Sequence, residues 1–133
     1  MRTLLLIAGL GQIALALASL AAPRILQWRA QTARLEPLTA RIFWVYACYI
    51  LGTNLCLGGL TACAPDLLLD RSVLARCVAG YAALYWGARL VIQFVWFRAA
   101  CPKGAWYAAA DAAFTIGIAF ATACYGAVLF DLW

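Results

Sequence analysis

The sequence predicts an all-α integral membrane protein, an antiparallel bundle of four transmembrane helices forming a single domain over residues 1–133. Three observations predict it. Hydrophobic residues make up 68% of the chain and charged residues 11%, with a mean hydropathy of +0.91. A soluble fold of 133 residues cannot keep so much apolar surface from water. The apolar residues also gather in four runs, at roughly 3–22, 42–63, 73–97 and 105–130, each close to the ~20 residues that cross a bilayer at about 1.5 Å per residue. Finally, Pro23, Pro37, Pro65 and Pro102 all fall in or beside the connections, so no run is broken by a proline.

The first run ends in Ala18, Ser19, Ala21 and Ala22, small residues of the kind that follow a secretory signal core. Its length, and a basic N-region supplied by Arg2 alone, favour a retained first helix. The connection that follows mixes Ile25, Leu26, Trp28 and Leu35 with Arg24, Arg29 and Arg34. Either a short helix lying on anionic lipid or a solvated loop fits that pattern. Helices in lipid associate through close packing at small residues. Ladders at four-residue spacing are present in the first run (Ala14, Ala18, Ala22), the third (Ala79, Ala83, Gly87) and the fourth (Ala109, Ala113, Gly117, Ala121).

The charges sort by side. With four alternating crossings, the first and third connections share one face, bearing Arg24, Arg29, Arg34, Arg41, Arg98 and Lys103 against Glu36. The other face, with both termini, bears Arg2, Arg71 and Arg76 against Asp66, Asp70 and Asp131. Basic residues in short loops are retained inside, so the first and third connections are expected in the cytoplasm and both termini outside. Trp28, Trp44, Trp96, Trp106 and Tyr107 then lie at the cytoplasmic headgroup level, and Trp133 at the other.

Cys48, Cys56, Cys63, Cys77, Cys101 and Cys124 do not suggest a metal framework, because the chain has no histidine and no C-x-x-C pair. Inside apolar runs cysteine acts as a small hydrophobe. Cys63 and Cys77 flank one loop and could form a disulfide. No metal, cofactor or nucleic-acid partner is expected.

The polar residues inside the runs carry the candidate site. Arg89 sits near the middle of the third run and Asp111 about two turns into the fourth; each costs about 2.5–3.5 kcal/mol at a helix centre and should face the bundle with a partner. Counting from the connection between these helices puts the two within roughly 3 Å in depth, so an ion pair is expected. Gln93 lies one turn from Arg89, and Asn54 and Gln12 lie near the middle of the second and first runs. The expected site is thus one polar layer of Arg89, Asp111, Gln93, Asn54 and Gln12. Mutual neutralisation that fixes helix register, a functional pocket or ion path, and snorkelling of Arg89 to the headgroups all remain open.

Enzyme chemistry has little support: the sequence holds no histidine, no glycine-rich phosphate loop, no H-E-x-x-H and no nucleophile beside an evident base. A helper or scaffold subunit of a membrane complex fits a chain without a soluble domain, and a small homo-oligomeric carrier or channel fits the polar layer. The membrane-embedded glutamate that defines small multidrug transporters has no counterpart in the first run, which offers only Gln12. The stretch from Leu38 to Phe97, with ARIFW opening the second helix and FVWFR closing the third, resembles in layout the four-helix scaffold proteins of ergosterol biosynthesis. That resemblance implies a scaffold role. The acidic residue it would imply near the end of the third helix is replaced by the Arg89 and Gln93 pattern.

Overall fold

The computed structural model describes residues 1–100 and 103–132, and among these every regular element is helical. Cys101, Pro102 and Trp133, named in the sequence reading, lie outside the described residues. In chain order the elements are α1 (Arg2–Ser19), α2 (Ala22–Ile25), α3 (Trp28–Thr32), α4 (Pro37–Cys63), α5 (Pro65–Leu68), α6 (Val73–Ile92), a π-helical turn (Gln93–Phe97), α7 (Arg98–Ala100) and α8 (Ala105–Leu129). Four helical stretches are long and apolar enough to cross a membrane: Arg2–Ile25, Pro37–Cys63, Val73–Phe97 and Ala105–Leu129.

Local chemistry sets the boundaries. Pro23, Pro37 and Pro65 each occupy the first turn of a helix, where a missing amide hydrogen costs nothing. Pro37 therefore starts α4 a full turn before its apolar run, which brings Arg41 into the helix instead of the connection. Ser72 caps α6 by accepting a hydrogen bond from the Ala75 amide at 3.0 Å. The Ser72 amide in turn donates to Asp70 at 2.7 Å, and hydrogen bonding to Ser72 holds the Asp70 carboxyl below its ordinary range.

The main contacts between long helices are α4 with α1, α1 with α8, and α8 with α6. α1 and α4 meet closely at two glycines. A Cβ on Gly9 would meet the Ala62 nitrogen at 2.6 Å and the Gly58 carbonyl oxygen at 2.9 Å, and one on Gly58 would meet the Gly9 carbonyl oxygen at 3.1 Å. Backbone thus touches backbone, which only glycine permits.

This contact rotates α1 away from the expected alanine ladder. Ala14 and Ala18 are exposed, and α1 buries Leu5, Ala8, Gly9, Gln12 and Ala16 instead. On α8 the expected ladder holds only at its far end, since Ala109 and Ala113 are exposed while Ala121 is buried. The α6 ladder comes closest, with Ala79 fully buried and Ala83 and Gly87 partly so.

Packing is concentrated at the end that holds the chain termini. The core comprises Leu5 and Ala8 of α1, Leu68 of α5, Ala79, Ala82 and Trp86 of α6, and Ile118 to Val128 of α8. α4 buries only Gly58 and Thr61, both near its C-terminus, and α8 buries nothing before Ile118. Arg2 pairs with Asp66 at 3.3 Å, and Asp131 with Arg76 at 2.8 Å and Arg71 at 3.6 Å, so the two termini and the α4–α6 connection share one end.

Candidate functional site

At the opposite end, where apolar packing has thinned, α6 and α8 are joined by polar groups. The α-helical ladder of α6 gives way at Gln93 to the wider π turn, a deformation that α-helices often carry at functional positions. Gln93 is 4% exposed. Its side-chain Oε1 accepts from the Arg89 Nη1 at 2.8 Å, and its Nε2 donates to the Asp111 Oδ1. The Arg89 guanidinium lies over the Phe97 ring at 4.5 Å and the Phe114 ring at 5.0 Å, cation–π contacts that partly replace lost hydration.

The expected direct contact between Arg89 and Asp111 is therefore replaced by a bridge through one amide. Asp111 has its ionic contact instead with Arg98, whose Nε lies 4.0 Å from Oδ2. Arg98 is exposed and also covers the Phe94 ring at 5.5 Å. The run boundaries place Arg98 in the connection. Its place directly after the π turn lets its long side chain reach back to the carboxylate across the helix pair.

Gln12 lies in a different cluster. Its Oε1 accepts from the Tyr125 hydroxyl at 2.9 Å, and that hydroxyl shares a 2.6 Å hydrogen bond with Thr61. All three side chains are at most 2% exposed. One phenol thus ties α1, α4 and α8 together. Along α8, Tyr125 is about 21 Å from Asp111 at 1.5 Å per residue, so Gln12 is not in the Arg89 layer. Asn54 is partly buried beside Tyr85, and its Oδ1 has no protein partner.

The single polar layer expected from sequence is two separate clusters, with Asn54 between α4 and α6 belonging to neither. Tyr125 and Thr61 were missed because a tyrosine and a threonine in an apolar helix read as core. The one Thr61 hydroxyl proton also faces its own Leu57 carbonyl at 2.8 Å, as hydroxyls in apolar helices do, so with the Tyr125 proton given to Gln12 it is shared between that carbonyl and the phenol oxygen.

Cys63 and Cys77 are both free thiols, so the disulfide considered between them is absent, and Cys48 and Cys56 are likewise free. Among the described residues no group of three or more potential ligands gathers to hold a metal ion. What the arrangement can do chemically is limited: it fixes helices, holds a guanidinium against two aromatic rings, and keeps a carboxylate hydrogen-bonded and ion-paired.

The fold and these clusters define an all-helical chain with four helices long and apolar enough to span a membrane. No family model, curated protein or solved structure matches it.

Proposed function

We propose that the chain is a four-pass integral membrane protein, an antiparallel helix bundle with both termini outside, that serves as a helper or scaffold subunit within a membrane complex. The observation that carries this reading is the state of α4. Of its 27 residues only Gly58 and Thr61 are buried, and its long-helix packing is against α1. The half nearest its N-terminus presents Ile42, Val45, Tyr46, Tyr49 and Ile50 outward, with Tyr46 64% and Tyr49 70% exposed. A shallow, largely apolar depression on this face is lined by Trp44, Val45, Cys48 and Tyr49. In lipid, such a surface gains by close contact with another helix, and tyrosine hydroxyls there find partners that acyl chains cannot offer.

The polar clusters favour the same reading over a carrier. Arg89, Gln93, Asp111 and Arg98 are engaged with one another, as are Gln12, Tyr125 and Thr61, which suits register-fixing more than passage of cargo. The bias of basic residues toward the first and third connections supports the orientation.

A photo-cross-linking residue at Tyr49, compared with one at the exposed Leu84 of α6, tests the subunit role in native membranes. The expected result is one stoichiometric adduct with a larger membrane protein from position 49, weakened by Val45→Arg. Adducts between copies of this chain alone, or equal yields from both positions, would contradict it and return the carrier reading.

A further inference from the structure

We infer that the cleft between the α2–α3 segment and the start of α4 is a binding site for the phosphate-bearing headgroup of an anionic phospholipid, an assignment that rests on the membrane reading above. The cleft has a volume of about 810 Å³, within the roughly 300–1,000 Å³ of small-ligand sites. Leu20, Pro23 and Trp44 supply an apolar wall, and Arg24, Gln27 and Arg29 supply polar groups. Gln27 adopts the left-handed conformation, φ 51°, at the break between the two short helices. Arg24 on the first short helix and Arg29 on the second line one space.

The walls are held in place. The Gln31 Nε2 donates to the Leu26 carbonyl at 2.8 Å, closing the loop on itself. Thr32 is buried; its hydroxyl donates to the Trp28 carbonyl at 2.8 Å and accepts from the Trp44 Nε1 at 3.4 Å. Trp28 meets Phe43 and Trp44 edge-on at 5.0 and 6.1 Å. The segment left open by the sequence as either a lipid-lying helix or a loop is thus a braced pair of short helical turns against α4.

Charge decides the ligand class. Among the described residues no carboxylate lies within 4 Å of Arg24 or Arg29, whereas Arg2, Arg71 and Arg76 at the opposite end each face an aspartate. Two arginines without a carboxylate in salt-bridge reach, lining one largely apolar space, match a phosphodiester, since guanidinium groups engage phosphate oxygens in paired hydrogen bonds. The apolar wall and the tryptophan favour a lipid over a free phosphate, since indole rings settle at headgroup level and Leu20 and Pro23 offer contact to a glycerol and its acyl chains.

Native mass spectrometry of the detergent-purified chain, titrated with phosphatidylglycerol, phosphatidylcholine or inorganic phosphate, tests the assignment. One phosphatidylglycerol should bind about tenfold more tightly than phosphatidylcholine. Arg24→Gln with Arg29→Gln should remove that preference, and Arg24→Lys with Arg29→Lys should keep part of it. Arg34→Gln with Arg41→Gln, basic positions outside the cleft, should leave it unchanged. Equal loss in the Arg34/Arg41 pair, an unchanged preference in the Arg24/Arg29 pair, or phosphate binding as tightly as the lipid would each overturn the site. Release of the chain from membranes by alkaline carbonate would overturn the membrane reading and this site with it. Retention without lipid preference would overturn the site alone.

Discussion

At Gln93 a single amide satisfies a cation through Oε1 and an anion through Nε2, and does so 4% exposed between α6 and α8. Side-chain hydrogen bonds between helices in a membrane average about 0.6 kcal/mol and reach about 1.7, less than the roughly 1.5–3 of bonds to charged groups in water. Gln93→Leu, which removes the bond across to Asp111 on α8 and the one-turn bond to Arg89, should lower the unfolding free energy in detergent by about 1–3 kcal/mol. Asp111→Asn keeps an acceptor for the Gln93 amide and should cost under about 1 kcal/mol. A Gln93→Leu variant as stable as the wild type would show that the bridge contributes nothing. Tyr125→Phe tests the other cluster, since it removes the donor to Gln12 and the partner of Thr61 without opening a cavity; a loss of about 0.6–2 kcal/mol in the same assay is expected. Arg89, Gln93 and Asp111 were legible in the sequence because polar groups in an apolar run are costly and so stand out. The link between them was not, because counting depth along helices fixes height and not which side chain stands between two others. Gln12 was placed near mid-run, yet its partner is a tyrosine that no charge-based argument marks.

Helix contacts follow backbone proximity more than alanine spacing. Gly9 and Gly58 are the points where an added methyl would strike main-chain atoms at 2.6–3.1 Å, and those atoms cannot yield unless α1 and α4 separate. Gly9→Ala and Gly58→Ala should therefore each destabilise the protein by about 1–3 kcal/mol, the usual cost of overpacking. Gly52→Ala and Gly59→Ala, where a Cβ meets open space, should change thermal unfolding little or raise it slightly. Equal effects at all four positions would mean that the α1–α4 contact is not set by these glycines. The existence and approximate bounds of the long helices were readable from apolar run length and proline placement. The buried faces were not: small residues lie on more than one face of a helix, and only the partner's shape selects the face that packs. The π turn at Gln93–Phe97 likewise has no marker in QFVWF, since apolar and aromatic residues fit α and π geometry alike.

For the whole molecule, the packed end and the open end differ in charge as well as in burial. Aspartates neutralise the arginines at the packed end, where both termini lie, through pairs such as Arg2–Asp66 whose side chains are 66% and 69% exposed. Pairs so exposed contribute roughly 0–1 kcal/mol, so Arg2→Ala should leave the melting temperature nearly unchanged. Arg24, Arg29, Arg34, Arg41 and Lys103 stand at the open end with no carboxylate within 4 Å among the described residues. That division was legible in the sequence because alternation of four runs is enough to sort charges into two groups. The exposure of α4 was not, because exposed apolar residues look the same whether lipid or protein covers them. Membrane crossing by all four helices is the claim on which the proposed role and the lipid site both depend, and single-cysteine accessibility in intact cells tests it most directly. In a chain freed of its native cysteines, an impermeant maleimide added outside should label cysteines placed at Thr3, Asp70 and Leu132. Cysteines placed at Arg34 and Lys103 should react only after the membrane is opened. Labelling of positions 34 and 70 from the same side would contradict the four-pass arrangement.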